Sequence, residues 1–224
     1  MTDRRVPRPI LRAFNLLRRF SSLSLVLGGL PVEPAAETIF PNLIGAEDVI
    51  VEVGARMGDG TRVLAKLGKQ VYAFEPSRGS FLLLKTFTRK NKNVKAYNLA
   101  LGSQAERATL RKDRAFSGVA SLKKISDVRY SSWESVGVVR LDSLTFKLSP
   151  TTLVLDCEGS EMEVLKGAEK LLPKLNTVLV ETHTMENGSD TIDAVVSELR
   201  SSFPKLRLES AGTERWVIAQ RNPN

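Results

Sequence analysis

The stretch "VIVEVGARMGDG", Val49 to Gly60, decides how the rest of the chain is read. Val49, Ile50, Val51 and Val53 form the apolar, β-branched run of a strand covered on both faces. Gly54, Gly58 and Gly60 follow, and backbone so bare allows a tight turn with positive φ. "TRVLAKLG" then opens a helix. A strand, a glycine turn and a helix start together present unpaired backbone N–H groups to a ligand that comes very close. About twenty residues past the first glycine, "QVYAFEP" reads as a second apolar strand ending in Glu75. A carboxylate there can take both ribose hydroxyls of an adenosine cofactor. The bland alternative is a plain βα turn with Glu75 as a solvated strand end.

Working outward, 224 residues suit one sizeable domain with an appendage, and 42% hydrophobic with 26% charged residues is ordinary globular composition. The net charge of +8 is largely local. Arg4, Arg5, Arg8, Arg12, Arg18 and Arg19 against Asp3 put +5 of it in the first twenty residues. A single cysteine, Cys157, excludes an internal disulfide and any cysteine-built metal cage, so a reducing compartment is the simplest home. No run approaches the roughly 18 apolar residues of a membrane span. "SSLSLVLGGL" resembles the core of a secretory signal but lacks a clean small-residue cleavage site, and a cytoplasmic location is expected. Ile10 to Phe20 fits an amphipathic helix on an anionic surface, whether nucleic acid or a membrane, such as its inner face, or equally a helix packed on the domain edge.

Residues 1–41 therefore read as a basic helical arm and connector, and 42–224 as one domain. Within it strands and helices alternate, which predicts a parallel sheet with crossover helices on both faces. Strand one spans Val49 to Val53 and strand two Val71 to Phe74, with Ser77 capping the next helix. "NVKAYNLALG" reads as strand three, "TTLVLD" as strand four with the helix "SEMEVLKGAEKLL", and "NTVLVETH" as strand five. Residues 103–145 are less regular and read as a flap or insertion around the short strands "RATLRK" and "VGVVRL". "LRLESAGTERWVIAQ" is a closing hairpin, whose Trp216 to Ala219 slots one antiparallel strand into an otherwise parallel, seven-stranded sheet.

Two acid-rich patterns sit at carboxyl ends of strands, where open α/β sheets bind ligands. "DCEGSE" carries Asp156, Glu158 and Glu161, and "ETH" carries Glu181 and His183. If strands four and five are neighbours, these acids and the only histidine converge. For Glu158 and Glu161 the structural alternative is a helix start dressed with acids to match its dipole.

Taken in order, "VIVEVGARMGDGT", "VYAFEPS", "NVKAYNLALGS", "VVRLDSL", "LVLDCEGSEMEVLKGA" and "VLVETH" resemble the FkbM-like family of S-adenosylmethionine-dependent methyltransferases. The resemblance implies the Rossmann-like class I methyltransferase fold and methyl transfer to a hydroxyl of a sugar, glycan, glycolipid or polyketide-like natural product. It also implies that Glu52, Gly54, Ala55 and Gly58 of the first motif, Glu75 and Pro76 of the second, and Ala100 and Leu101 of the third hold the cofactor. Asp156, Glu158, Glu181 and His183 would line the reaction side. The chain departs from the family pattern in three places: Glu52 replaces an aspartate, Arg56 stands in the glycine turn, and Cys157 replaces an aliphatic residue.

For this chemistry His183 is the first choice of base, Asp156 the second, with Glu181 beside them. A divalent metal on Asp156, Glu158, Glu181 and His183 ranks below a simple base, since a sequence holds no ligand geometry. The expected partner is a hydroxyl acceptor, small-molecule or glycan, lipid-linked if the basic arm meets a membrane. An RNA ribose methyltransferase is the alternative that net charge suggests, and a non-catalytic S-adenosylmethionine-binding protein is the non-enzymatic one.

Overall fold

The computed structural model describes residues 34–113, 120–125 and 128–221. The basic arm, with its Ile10 to Phe20 segment, and residues 114–119 and 126–127 of the middle segment lie outside the described residues. In chain order the elements are α1 (Pro34–Thr38), α2 (Phe40–Leu43), β1 (Val49–Val53), α3 (Asp59–Leu67), β2 (Gln70–Phe74), α4 (Arg78–Phe87), β3 (Val94–Tyr97), β4 (Ala100–Leu101), β5 (Glu106–Lys112), β6 (Ala120–Ser121) and β7 (Ser132–Val139). After them come β8 (Thr152–Leu155), α5 (Glu161–Gly167), β9 (Thr177–Glu181), α6 (Ile192–Arg200), β10 (Lys205–Ala211) and β11 (Glu214–Gln220).

The period-two pattern of the central strands splits the core into two layers. Val49, Val51, Val53, Leu153, Leu155, Val178 and Val180 face one side, where Val164 and Leu165 of α5 and Leu199 of α6 cover them. Ile50, Val71, Val154, Leu179 and Ile218 face the other, under Leu64 of α3, Leu84 of α4, and Ala35, Ala36 and Phe40 of α1 and α2. Phe40 meets Trp216 edge-on, ring centroids 5.7 Å apart, so residues read as connector bury their apolar side chains against the sheet. Seven strands run in the order β10-β11-β9-β8-β1-β2-β3, and β11 pairs antiparallel with both neighbours. This is the class I methyltransferase arrangement with helices on both faces.

The middle of the chain is more regular than its sequence suggests. The stretch read as one third strand breaks after Tyr97: β3 stays in the main sheet, while β4 joins β7, β5 and β6 in a second, four-stranded sheet. Asn98 marks the break, its side-chain amide donating to the carbonyls of Glu75 and Pro76 at 2.9 Å each. The helix expected over "SEMEVLKGAEKLL" is also shorter. It ends at Gly167, where a Cβ would lie 2.1 Å from the Gly102 carbonyl oxygen, and a 3₁₀ turn at Leu172–Lys174 follows.

One register row places the functional edge. Val53 pairs with Phe74 on one side and Leu155 on the other, and Leu155 pairs with Val180. The residues that follow these four are Gly54, Glu75, Asp156 and Glu181, so all leave the sheet at one level. The closest approach is at Gly54, whose φ is +93° and whose missing Cβ would lie 1.6 Å from the Asp156 carbonyl oxygen. Backbone on that side cannot move aside. Gly54→Ala is expected to cost more than about 4 kcal/mol or to prevent folding, whereas Gly188→Ala, at positive φ with open space around it, should cost only about 1–2 kcal/mol. Denaturant unfolding of the two variants checks the difference.

Candidate active site

The row opens into a pocket of about 560 Å³, mouth included, lined by Gly54, Glu75, Pro76, Ala100, Leu101, Asp156 and Glu158 among others. Of the residues assigned to the cofactor, Gly54, Glu75, Pro76, Ala100 and Leu101 meet here. Glu52 and Ala55 line a smaller recess with Phe40 and Trp216, which shares Gly54 and Asp156 with the first. Gly58 lines neither and instead packs on α4, where a Cβ would meet Leu84 at 2.8 Å.

Glu75 is no solvated strand end. It is buried, and its two carboxyl oxygens accept the backbone amides of Ser77 at 2.7 Å and Arg56 at 2.9 Å. Burial pushes its proton affinity up to about 8, against the pull of those two amides. Two amide donors on two oxygens suit the ionised form, and each oxygen keeps a lone pair for a further donor.

On the other side of Gly54, His183 sits among four carboxyl groups. Its Nδ1 meets Glu161 Oε1 at 3.0 Å. Its Nε2 faces Glu158 at 3.4 Å, and Asp156 and Glu181 at 3.8 Å each. The backbone N–H of His183 donates to Thr191 Oγ1 at 3.0 Å, which holds the segment after β9 in place. The adjacency of β8 and β9 thus brings together all four residues assigned to the reaction side. Burial is the largest influence on the ring and lowers its proton affinity, but the hydrogen bond and charge of Glu161, with the charges of Glu158 and Asp156, lift it to about 9. Burial and the neighbouring Asp156 raise Glu158 to about 7, and the same two causes raise Glu181, which is hydrogen-bonded to Asp156. Burial likewise pushes the Cys157 thiol up, away from any nucleophilic role.

Three features escaped the sequence. Leu110 and Ala120 of the second sheet, with Leu122 just after β6, wall the pocket, as the described part of the segment read as a flap folds against the sheet edge. Glu161, read as a dipole-matching acid, is wholly buried and accepts the Gly159 amide at 2.9 Å while bound to His183. Arg56 and Glu158 have positive φ, 46° and 54°, and both line the pocket. Non-glycine residues held there cost of order 1–3 kcal/mol and concentrate at functional sites. Acids after a strand gave the only prior signal for Glu161.

The methyltransferase FkbM domain matches residues 45–207, most of the chain. The chain belongs to that family. No curated protein matches it. Among solved structures, this FkbM domain resembles the methyltransferase FkbM from Methylobacillus flagellatus KT, with 14% identity, a TM-score of 0.59 and coverage of 83% of this chain and 48% of that one. It thus spans about half the length of that relative. The tRNA methyltransferase TrmI from Aquifex aeolicus is similar at 13% identity and TM-score 0.52, over 90% of this chain and 76% of that one. A putative methyltransferase from Streptococcus mutans, solved in complex with SAH, is similar at 10% identity and TM-score 0.50, over 96% and 99%. At such identities these likenesses speak for the fold. Among the described residues no helix is long and apolar enough to cross a membrane.

Glu52, where the family pattern has aspartate, stands on the apolar face of Ile50 and accepts the Thr61 hydroxyl at 2.5 Å. Burial lifts it from 4.5 to about 8, opposed by Thr61 and aided by Asp59, Asp156 and Glu75. A carboxyl whose affinity is raised by folding contributes stability that is complete below the unfolded value of 4.5 and is lost as pH climbs through about 8. Glu52→Gln is expected to flatten the fall in stability between about pH 5 and about pH 8, making the variant the more stable protein at the upper end. Urea midpoints at the two pH values measure this.

Proposed function

We propose that this FkbM domain is an S-adenosylmethionine-dependent O-methyltransferase acting on a hydroxyl of a sugar, glycan, glycolipid or polyketide-like acceptor. The observation that carries this reading is that Glu75 and Asp156 line one pocket on either side of Gly54. The residues present fit the cofactor. The lone pairs left on Glu75 suit two ribose hydroxyls, and the bare Gly54 lets a ligand lie on the backbone. Pro76, Ala100, Leu101 and Leu110 offer the apolar walls that an adenine needs.

Held by Glu75, Gly54 and the apolar walls, S-adenosylmethionine would supply an activated methyl for transfer from its sulfonium to the acceptor oxygen. The chain's own share is alignment and proton removal. Asp156 and Glu158, reaching the pocket beside Gly54, place the acceptor hydroxyl. The hydroxyl proton passes to the cluster they form with Glu181 and His183. Asp156 lines the pocket and His183 stands 3.8 Å from it, so Asp156 is the better first acceptor and His183 the group that balances its charge.

Titration calorimetry with S-adenosylmethionine is expected to show one site, weakened about tenfold or more in Glu75→Gln, which cannot accept both amides and the ribose. Absence of heat from the wild-type protein would remove the proposal. Asp156→Asn is expected to lower turnover on a responsive acceptor by at least about 10²-fold while cofactor affinity changes little. Equal losses in binding and turnover would instead make Asp156 a cofactor residue.

A further inference from the structure

Asp156, Glu158 and His183 each offer one ligand atom, and these atoms lie within 4.8 Å of one another. The separations from His183 Nε2, 3.8 Å to Asp156 and 3.4 Å to Glu158, suit a single ion. Bonds of about 2.0–2.1 Å to a Mg²⁺-like ion span ligand separations up to roughly 4.2 Å. The imidazole is set for this role from behind. Glu161, 0% exposed, takes its Nδ1 at 3.0 Å while anchored by the Gly159 amide, and a ring whose Nδ1–H is held by a fixed carboxylate turns Nε2 outward as a lone pair.

A second, independent observation points to a ligand. Ser160 is 3% exposed and lines the same pocket as Asp156 and Glu158, yet its buried Oγ has no hydrogen-bond partner among the described residues. Buried polar atoms are nearly always satisfied, by protein, ordered water or ion. A buried, unsatisfied hydroxyl on the lining that it shares with two carboxylates suits a site whose remaining partner is an ion or its water shell. Four carboxyl groups crowd one imidazole, so oxygen donors are in excess at this point.

We propose that Asp156, Glu158 and His183 bind one divalent cation of the Mn²⁺ or Mg²⁺ class, with Glu161 positioning His183 and the acceptor's hydroxyl oxygen as a further ligand. Two carboxylate oxygens and one imidazole nitrogen are hard to borderline donors, and three protein ligands leave up to about three positions of an octahedron open. The cation itself is independent of the methyl-transfer reading, whereas the acceptor as its ligand rests on that reading. On this assignment Asp156 and His183 are ligands when the ion is bound, Asp156 keeping its second carboxyl oxygen for the hydroxyl proton, and any proton on the imidazole Nε2 leaves as the ion enters.

The chain has one histidine, so the ring of His183 in untagged wild-type protein is a single-site reporter. Titration with Mn²⁺ alone, without cofactor, is expected to broaden its NMR signals beyond detection well before one equivalent, and calorimetry to give one site. Asp156→Asn combined with Glu158→Gln should weaken Mn²⁺ at least about 100-fold. Glu161→Gln should weaken it about tenfold or more and shift the Nδ1 resonance of His183. Sharp ring signals at about 1 mM Mn²⁺, or binding untouched by the double substitution, would overturn the assignment. Glu75→Gln should leave Mn²⁺ binding unchanged. Cofactor titration of the chelator-treated protein separates failure of this site from failure of the methyltransferase reading.

Discussion

The molecule depends on how closely β1 can approach β8 at the carboxyl edge of the sheet. Gly54 passes under the Asp156 carbonyl where no side chain fits, the Asp156 amide donates to the Val53 carbonyl at 3.0 Å, and the amides of Gly54 and Ala55 both donate to Phe74. These bonds carry the strand pairing one step past the last paired row. The register of four strands therefore becomes the spacing of four side-chain positions. Any device that widened the β1–β8 gap would separate Glu75 from Asp156, and with them the two halves of the pocket.

Placing acids on that edge opposes stability. Glu52, Glu75, Asp156, Glu158 and Glu181 are all raised in proton affinity, and burial is the first cause for each. A core of this size would gain from apolar replacements. The fold keeps the acids by sharing: amides hold Glu75, Thr61 holds Glu52, and His183 gathers Glu161, Glu158 and Asp156. Positive φ at Arg56 and Glu158 adds strain at the same place. Costs concentrated in one pocket while the two apolar layers remain regular are what a functional site on a stable scaffold looks like.

Much of this was legible before any coordinates. The β1 run with its glycine turn, Glu75 some twenty residues on, and the closing hairpin follow from local chemistry, because β-branched runs, bare backbone and alternation act over a few residues. The meeting of Asp156 and His183 was legible only as a condition, since it required β8 and β9 to be neighbours. The break of strand three at Asn98 was not, because its cause is a pair of carbonyls more than twenty residues away. Nor was the role of Glu161. An acid in the first turn of a helix matches the dipole whether it faces water or a histidine.

The sequence by itself determined the order of strands and helices, the family, and which residue types stand at strand ends, for these are encoded in periodicity and short motifs. Tertiary structure alone decided that the middle segment builds a second sheet against the pocket, that Glu161 backs His183, and that three ligand atoms converge. The reason is one of range: a strand fixes which way its side chains point, but only pairing between distant strands fixes which of them meet.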